Sequence, residues 1–169
     1  SLAGCDYTIG GNIYNCVIGG GKYNTIQGGS QVSDITIAGG SQNNCGRVLQ
    51  GAATIGGGYA NTATKAGATI AGGKYNRLHC DYGVIGGGTS NTANTHGSKW
   101  STIGGGRHNS VTQSYVTISG GSSNLVEGIH GSIGGGEYNS VFGSWGTVGG
   151  GQSNRSSTVQ LSQLLPGDP

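Results

Sequence analysis

Two consecutive stretches of the chain carry nearly the same phrase: residues 53–67 read ATIGGGYANTATKAG, and residues 68–82 read ATIAGGKYNRLHCDY. Each begins Ala-Thr-Ile, continues with small residues rich in glycine, and has an Asn six residues after its Ile. Self-similarity at a fixed short period is the sequence signature of repeat proteins, in which one structural unit is stacked many times. The two stretches therefore predict a repeat architecture.

The period holds along most of the chain. An Ile or Val, which we call the anchor, precedes each glycine cluster, and from position 37 onward successive anchors are fifteen or eighteen residues apart. The anchors are Ile9, Ile18, Ile37, Ile55, Ile70, Ile85, Ile103, Ile118, Ile133 and Val148. A Gly stands two residues after every anchor, and an Asn stands six residues after it. In the regular part of the chain these are Asn61, Asn76, Asn91, Asn109, Asn124, Asn139 and Asn154.

A unit of fifteen residues restricts the possible folds. It is too short for a helical hairpin repeat, which needs about 33 residues or more. The β-branched anchors favour short strands, and the glycines suit tight corners or close approach of a neighbouring backbone. Asparagines repeated on stacked coils are expected to form a ladder in which neighbouring amides satisfy one another. The sequence thus predicts an all-β fold, a parallel β-solenoid of about ten 15-residue coils.

The repeat pattern also divides the chain. Residues 1–52, where the steps between anchors include nine and nineteen residues, are expected to form irregular N-terminal coils or a cap, and 53–156 the regular β-roll. Residues 157–169 are expected to lead into another module, and the opening SLAGCDY with no Met in the chain suggests a segment of a longer polypeptide.

A coil this small has a thin interior, so we expect a homotrimer that buries more surface. A glycine wall would let its chains approach closely. It includes Gly56, Gly86, Gly104 and Gly134.

Composition argues against several classes of partner. The net charge is +2 without a run of Lys or Arg, so no nucleic-acid partner is predicted. No apolar stretch approaches the roughly 20 residues of a membrane span, so no membrane insertion by this segment is predicted. Cys5, Cys16, Cys45 and Cys80 lack zinc-site spacing and are interpreted as small buried thiols, with a Cys5–Cys16 bridge left open.

The chemistry-bearing residues do not form a recognisable catalytic pattern. The carboxylates are scattered over different repeats, and the histidines lack HExxH spacing. The glycine clusters lack the Lys-Ser/Thr ending of a phosphate-binding loop. We therefore predict no enzyme and assign no catalytic, cofactor-binding or metal-binding residue.

Aromatic residues recur at two positions of the repeat and are the candidate receptor-binding residues. Tyr23, Tyr75 and Tyr138 follow their anchors by five residues, and Tyr82, Tyr115 and Trp145 follow by twelve. Trp100 is expected in a longer loop created by the three-residue insertion that carries THGSKW (95–100). Such rings can stack on sugars or dock a protein receptor. The alternative is that they cover thin turns or line the seam between subunits.

Three phrases carry a family resemblance: STIGGGRHNSV (101–111), GSIGGGEYNSV (131–141) and GTVGGGQSNRS (146–156). They resemble the head repeats of trimeric autotransporter adhesins, the YadA-like head, in its I-G-G-G-x-x-N variant. The resemblance covers roughly residues 8–156, and similar repeats occur in bacteriophage tail fibres. It implies a left-handed parallel β-roll, three chains in each head, and attachment to host surface molecules or matrix.

The hypothesis that follows is a non-enzymatic structural or adhesive fibre module that binds host glycan or protein receptors. It would be extracellular, on a bacterial cell surface or a virion tail fibre. One alternative is an ice-binding solenoid, motivated by a Thr before most anchors, although the Thr-x-Thr pairing of a two-column ice face is missing. These residues are Thr8, Thr36, Thr54, Thr69, Thr102, Thr117 and Thr147. The other alternative is a fibre-borne carbohydrate-active enzyme, for which no acid pair is identified.

Overall fold

The computed structural model describes residues 13–27, 32–46 and 51–157. Some predicted features lie outside these residues: the first anchor Ile9, Thr8, Cys5 and the exit segment beyond residue 157. All regular structure in the described part is β, in twenty short strands. These are β1 (Ile13–Tyr14), β2 (Val17–Ile18), β3 (Thr25–Gln27), β4 (Val32–Ser33), β5 (Ile35–Ile37), β6 (Asn44–Gly46), β7 (Ala53–Ile55), β8 (Thr62–Ala63), β9 (Ala68–Ile70), β10 (Arg77–Asp81), β11 (Val84–Ile85), β12 (Thr92–Lys99), β13 (Thr102–Ile103), β14 (Ser110–Val111), β15 (Thr117–Ile118), β16 (Leu125–Val126), β17 (Ser132–Ile133), β18 (Ser140–Val141), β19 (Thr147–Val148) and β20 (Arg155–Ser156).

Eighteen of the strands stack into two parallel sheets of nine strands each, and β1 pairs with β4 in a separate parallel sheet of two strands. The first sheet has the order β19-β17-β15-β13-β11-β9-β7-β5-β2, and the second has the order β20-β18-β16-β14-β12-β10-β8-β6-β3. Each coil of the chain adds one strand to each sheet, which confirms the predicted parallel β-solenoid. The coils before residue 53 continue the same sheets, since Thr36 pairs with Thr54. No helix in the described residues is long and apolar enough to span a membrane.

A third ladder runs between the two sheets, formed by the residue four positions after each anchor. Each of these residues makes one parallel bridge to its counterpart in the next coil. We call this ladder the bridge column. It consists of Lys22, Ser41, Tyr59, Lys74, Thr89, Arg107, Ser122, Glu137 and Gln152. Side chains in the bridge column are therefore held in register along the solenoid.

The core is a row of apolar side chains from both sheets. Ile70 of the first sheet and Leu78 of the second are fully buried, and they pair in register with Ile85 and Ala93 of the next coil. A further inward position two residues before the anchor adds Ala68 in this coil. Burying one Ile or Leu side chain contributes about 1.5–3 kcal/mol, so a single coil cannot fold alone and the stack must form together.

Glycines after the anchor have distinct roles, and the proposed glycine wall is largely explained within one chain. A Cβ on Gly86 would collide with the carbonyl of Gly104 in the next coil. A Cβ on Gly73 would collide with the carbonyl of Gly88, and Gly73 also has a φ of +89°. Gly72, between them in the repeat, has nothing within 4 Å of an added Cβ, and its φ lies outside the left-handed region. Only this middle position leaves room for another molecule.

The three-residue insertion before Trp100 forms a bulge, and the expectation of a longer loop around Trp100 was wrong. Strand β12 is eight residues long and pairs with β10, with a register shift between His79 and Asp81 that brings Lys99 opposite Asp81. A bulge absorbs extra residues while the ladder on either side keeps its pairing. Trp100 therefore returns to the corner position held by Tyr82 and Tyr115 in the adjacent coils.

Candidate binding surfaces

The asparagines six residues after the anchors form a continuous hydrogen-bonded ladder. In Asn76, the Nδ2 atom donates to the carbonyls of Gly72 and Gly88, both at 3.0 Å. Its Oδ1 atom accepts the backbone N–H of Asn91 at 3.0 Å. The same contacts recur in the other coils, and the amides from Asn24 to Asn139 are buried. Each amide thus satisfies polar backbone groups of its own coil and the next, which holds adjacent coils in register.

One corner of the solenoid, just before each anchor strand, carries five stacked rings. We call them the aromatic stack. They are Tyr82, Trp100, Tyr115, His130 and Trp145. The centroids of successive rings are 5.8, 5.2, 4.6 and 3.9 Å apart, and the ring planes are within 24° of each other. Four of the five were predicted as receptor-binding residues, and the structure brings those four together.

The backbone of the aromatic stack is in the left-handed region. The five residues have φ between 55° and 63°, which is unusual for bulky side chains. In this conformation each backbone N–H points to the preceding coil: Trp145 N–H donates to Ile129 O at 2.8 Å, and Tyr115 N–H to Lys99 O at 3.1 Å. The conformation costs about 1–2 kcal/mol for each residue, and each stacked pair contributes about 0.5–1.5 kcal/mol. Stacking therefore offsets a large part of the strain at this corner.

Stacking decides which part of each ring is available to a ligand. Interior rings have both faces covered by neighbours, and the face of Tyr82 toward the preceding coil lies against Gly67, where a Cβ would collide with the ring. Trp145 is 67% exposed and Tyr115 is 47% exposed. The stack accordingly presents ring edges, the tyrosine hydroxyls and the indole N–H groups along about five coils.

The other corner follows the bridge column, and its tyrosines do not form a continuous group. Three tyrosines at this corner are exposed and have φ in the left-handed region, but they lie several coils apart: Tyr23, Tyr75 and Tyr138. Tyr75 instead contacts Tyr59 at a ring distance of 5.4 Å and an angle of 83°. The Lys74 ammonium lies 5.4 Å from the Tyr59 centroid and 5.0 Å from the Tyr75 centroid. This cluster was not predicted, because Tyr59 is the one aromatic residue in the bridge column.

A row consisting mainly of Thr and Ser, with Val at two positions, faces outward from the first sheet. In register, its members are Val17, Thr36, Thr54, Thr69, Val84, Thr102, Thr117, Ser132 and Thr147. The outward position two residues further along each strand is Gly, Ala or Ser. The sheet therefore offers one Thr column rather than two.

The cysteine side chains contribute to the core. Cys45 and Cys80 are buried, and Cys16 and Cys45 are free thiols. Burial, with a smaller contribution from the nearby Cys16 thiol, raises the pKa of Cys45 to about 12. A bridge between Cys5 and Cys16 involves a residue outside the described part, and Cys16 is unbridged here. In the part of the chain that the structure describes, no group of three or more His, Cys, Asp or Glu side chains could hold a metal ion.

Comparison with known proteins does not assign the chain to a family. No protein-family model matches the chain, and no curated protein is significantly similar to it in sequence. The features of the chain that bear on its function are therefore the fold and its exposed corners.

Proposed function

We propose that this chain is a non-enzymatic adhesive module of an extracellular fibre, which binds receptors on a host surface through the corners of a β-solenoid. The observation that carries the proposal is the aromatic stack: five adjacent rings in register, four of them exposed and His130 half-buried, on a scaffold whose coils are joined by the asparagine ladder. Large contiguous apolar groups on a protein surface mark interaction sites. The resemblance to adhesin heads and tail fibres supports the same conclusion.

The geometry of the stack favours a particular mode of contact. Because the interior ring faces are covered, a sugar cannot stack on Tyr115 or Trp100 as it does on an isolated ring. A ligand that lies along the solenoid would instead contact ring edges and receive hydrogen bonds from the indole and phenol groups. An extended glycan or a protein loop laid along several coils fits this arrangement.

A homotrimer is part of the proposal. It is supported by the thin core and by three of the middle glycines of the clusters. At Gly39, Gly72 and Gly120 an added Cβ would meet nothing within 4 Å, and φ is outside the left-handed region, yet the sequence has no side chain there. A second chain that packs against these middle glycines would account for them. Light scattering on the native protein is expected to give the mass of three chains, and a monomer would contradict this part of the proposal.

The cellular setting follows from the function: a bacterial cell surface or a virion tail fibre, with a host glycan or protein as partner. The second candidate function is ice binding, and the outward Thr column is the observation that favours it. Ice-binding faces of this kind need flat, regularly spaced hydroxyls, and here Val84 and the single column weaken the match. Thermal hysteresis in cold solution would show that this alternative is correct.

The proposed function is tested by binding of the intact protein to immobilised glycans, matrix proteins and cells. We expect saturable binding to at least one of these surfaces, and the binding should weaken when Trp100 is replaced by Ala. Failure of the native oligomer to bind any of them would contradict the proposal. Equal binding by the Trp100→Ala variant would show that the stack is not the binding surface.

A further inference from the structure

The bridge column carries two cationic side chains that are two coils apart. Lys74 and Arg107 are both exposed, and Thr89 lies between them in register. Parallel strands lie about 4.8 Å apart, so the two cations project from backbone positions about 10 Å from each other. Arg77, also exposed, begins strand β10 in the same coil as Lys74. Three cationic side chains thus occupy one corner region within two coil spacings.

No described carboxylate neutralises this region within the bridge column. The described carboxylates are Asp34, Asp81, Glu127 and Glu137. Asp34 belongs to the corner of the aromatic stack, Asp81 ends strand β10 opposite Lys99, and Glu127 follows strand β16. Glu137 is the first carboxylate in the described bridge column, two coils beyond Arg107. The charge of the corner from Lys22 to Arg107 is therefore complementary to an anion.

Neighbouring rings hold one of the cations in place. Tyr59 and Tyr75 meet at an angle of 83°, and the Lys74 ammonium lies near both rings. A cation held on aromatic faces keeps its charge and loses less side-chain freedom when it binds an anion. Thr89 lies between the two cationic positions in the bridge column, and its hydroxyl can bond to uncharged polar groups of the same ligand.

We propose that this corner binds a linear acidic glycan that carries one acidic group on every second sugar. One pyranose unit in an extended chain is close in length to the coil spacing, so a glycan along the bridge column would place one sugar at each coil. Acidic groups on alternate sugars would then face Lys74 and Arg107, and the intervening sugar would face Thr89. A nucleic acid fits less well, since its phosphates are more closely spaced than these cations. The inference names one ligand class for the proposed adhesive function and rests on it.

The test uses the native protein and a ten-sugar hyaluronan oligosaccharide, which has a carboxylate on alternate sugars. We expect measurable binding that weakens as salt is added, because salt screens the attraction between the exposed cations and the carboxylates of the glycan. Lys74→Glu and Arg107→Glu should each reduce the affinity about five-fold. Glu137→Lys, which continues the alternation of cations, should increase it. The matched control is Lys65→Glu, the same charge change on an exposed side chain outside this corner, and it should have a much smaller effect.

Three outcomes would overturn the proposal. Binding that is absent in low salt, or that survives methyl esterification of the carboxylates, would exclude charge recognition at this corner. An equal loss in Lys65→Glu would show diffuse attraction rather than a site. Tighter binding of single-stranded DNA than of the glycan would assign the corner to nucleic acid. If the hyaluronan test fails while the protein still binds cells through the aromatic stack, the adhesive function stands and only the ligand class is wrong.

Discussion

The backbone N–H of Asn91 donates to the Oδ1 atom of Asn76 in the preceding coil at 3.0 Å. The Nδ2 atom of Asn91 donates to the carbonyls of Gly87 and Gly106, both at 2.9 Å. One buried side chain therefore serves backbone groups in its own coil and in the next. This relationship explains why the chain keeps an asparagine at this position in every repeat.

Replacing Asn91 by Ala should destabilise the protein strongly. The change leaves the buried N–H of Asn109 without its acceptor and removes the donor to the carbonyl of Gly87. We expect a loss of about 3 kcal/mol in the free energy of unfolding, since each unsatisfied buried group costs about 1–3 kcal/mol. Denaturant unfolding measures this loss. Asn154→Ala, at the exposed end of the described ladder, is the control and should cost less than about 1 kcal/mol. Equal losses would contradict the ladder account.

Two adjacent glycines should respond in different ways to Ala. At Gly73 the added Cβ would collide with Gly88, and the residue would keep a φ of +89°, so Gly73→Ala should cost at least about 2 kcal/mol. At Gly72 neither obstacle exists within the chain, so Gly72→Ala should spare the fold of a single chain and weaken the proposed trimer, in which a second chain packs against this position. Thermal unfolding of both variants at equal protein concentration tests the predicted difference in stability. Light scattering on Gly72→Ala checks the second part, and an unchanged trimer mass would contradict packing of a second chain on the middle glycines.

The left-handed backbone of the aromatic stack can be separated from the stacking itself. Tyr115→Ala removes two ring contacts and keeps a side chain at φ 59°. Tyr115→Gly removes the same contacts but relieves the backbone, because glycine adopts this region without a steric penalty. The glycine variant should therefore be the more stable of the two by about 1 kcal/mol. Denaturant midpoints decide the order, and a less stable glycine variant would show that the corner is not strained.

The buried thiol of Cys45 predicts a loss of stability in alkali. Its pKa is raised from the ordinary 9.0 to about 12, so above pH 9.0 the unfolded chain releases a proton that the folded chain retains. The free energy of unfolding therefore falls as pH rises from 9.0 toward 12, with little effect below pH 9.0. Between pH 8 and pH 10 we expect the wild type to lose about 1 kcal/mol more than Cys45→Ala. The residue that pairs with Cys45 in the next coil is already an alanine, Ala63, so the Cys45→Ala variant should fold. Identical pH profiles would rule out this contribution.

The solenoid could be predicted from sequence because its determinants repeat. Each coil faces copies of itself, so an Ile, a Gly and an Asn at a fixed spacing are sufficient to infer stacked strands and an amide ladder. The different roles of Gly72 and Gly73 could not be separated in the same way. They depend on how closely the next coil approaches and on φ, and a pattern of consecutive glycines carries neither.

Tyr82, Tyr115, His130 and Trp145 all stand twelve residues after their anchors, and of these only His130 was not named as a receptor-binding candidate. Counted that way, Trp100 falls outside the column, since the insertion intervenes. Counted back from the next anchor, Tyr82, Trp100, Tyr115, His130 and Trp145 all stand three residues before it. The bulge in β12 lies upstream of this position, so the corner keeps its distance to the following strand. The backward count was therefore the available signal for the whole stack.

The most direct test of the adhesive account compares Trp145→Ala with Tyr23→Ala in binding to the surface that the native protein recognises. Trp145 ends the described stack, 67% exposed, whereas Tyr23 is 57% exposed at the other corner and outside the stack. If the stack binds the receptor, Trp145→Ala should reduce affinity at least ten-fold, as expected for an aromatic hot spot worth more than about 1.4 kcal/mol, and Tyr23→Ala should reduce it less than two-fold. Equal affinities for both variants and the wild type would contradict the account.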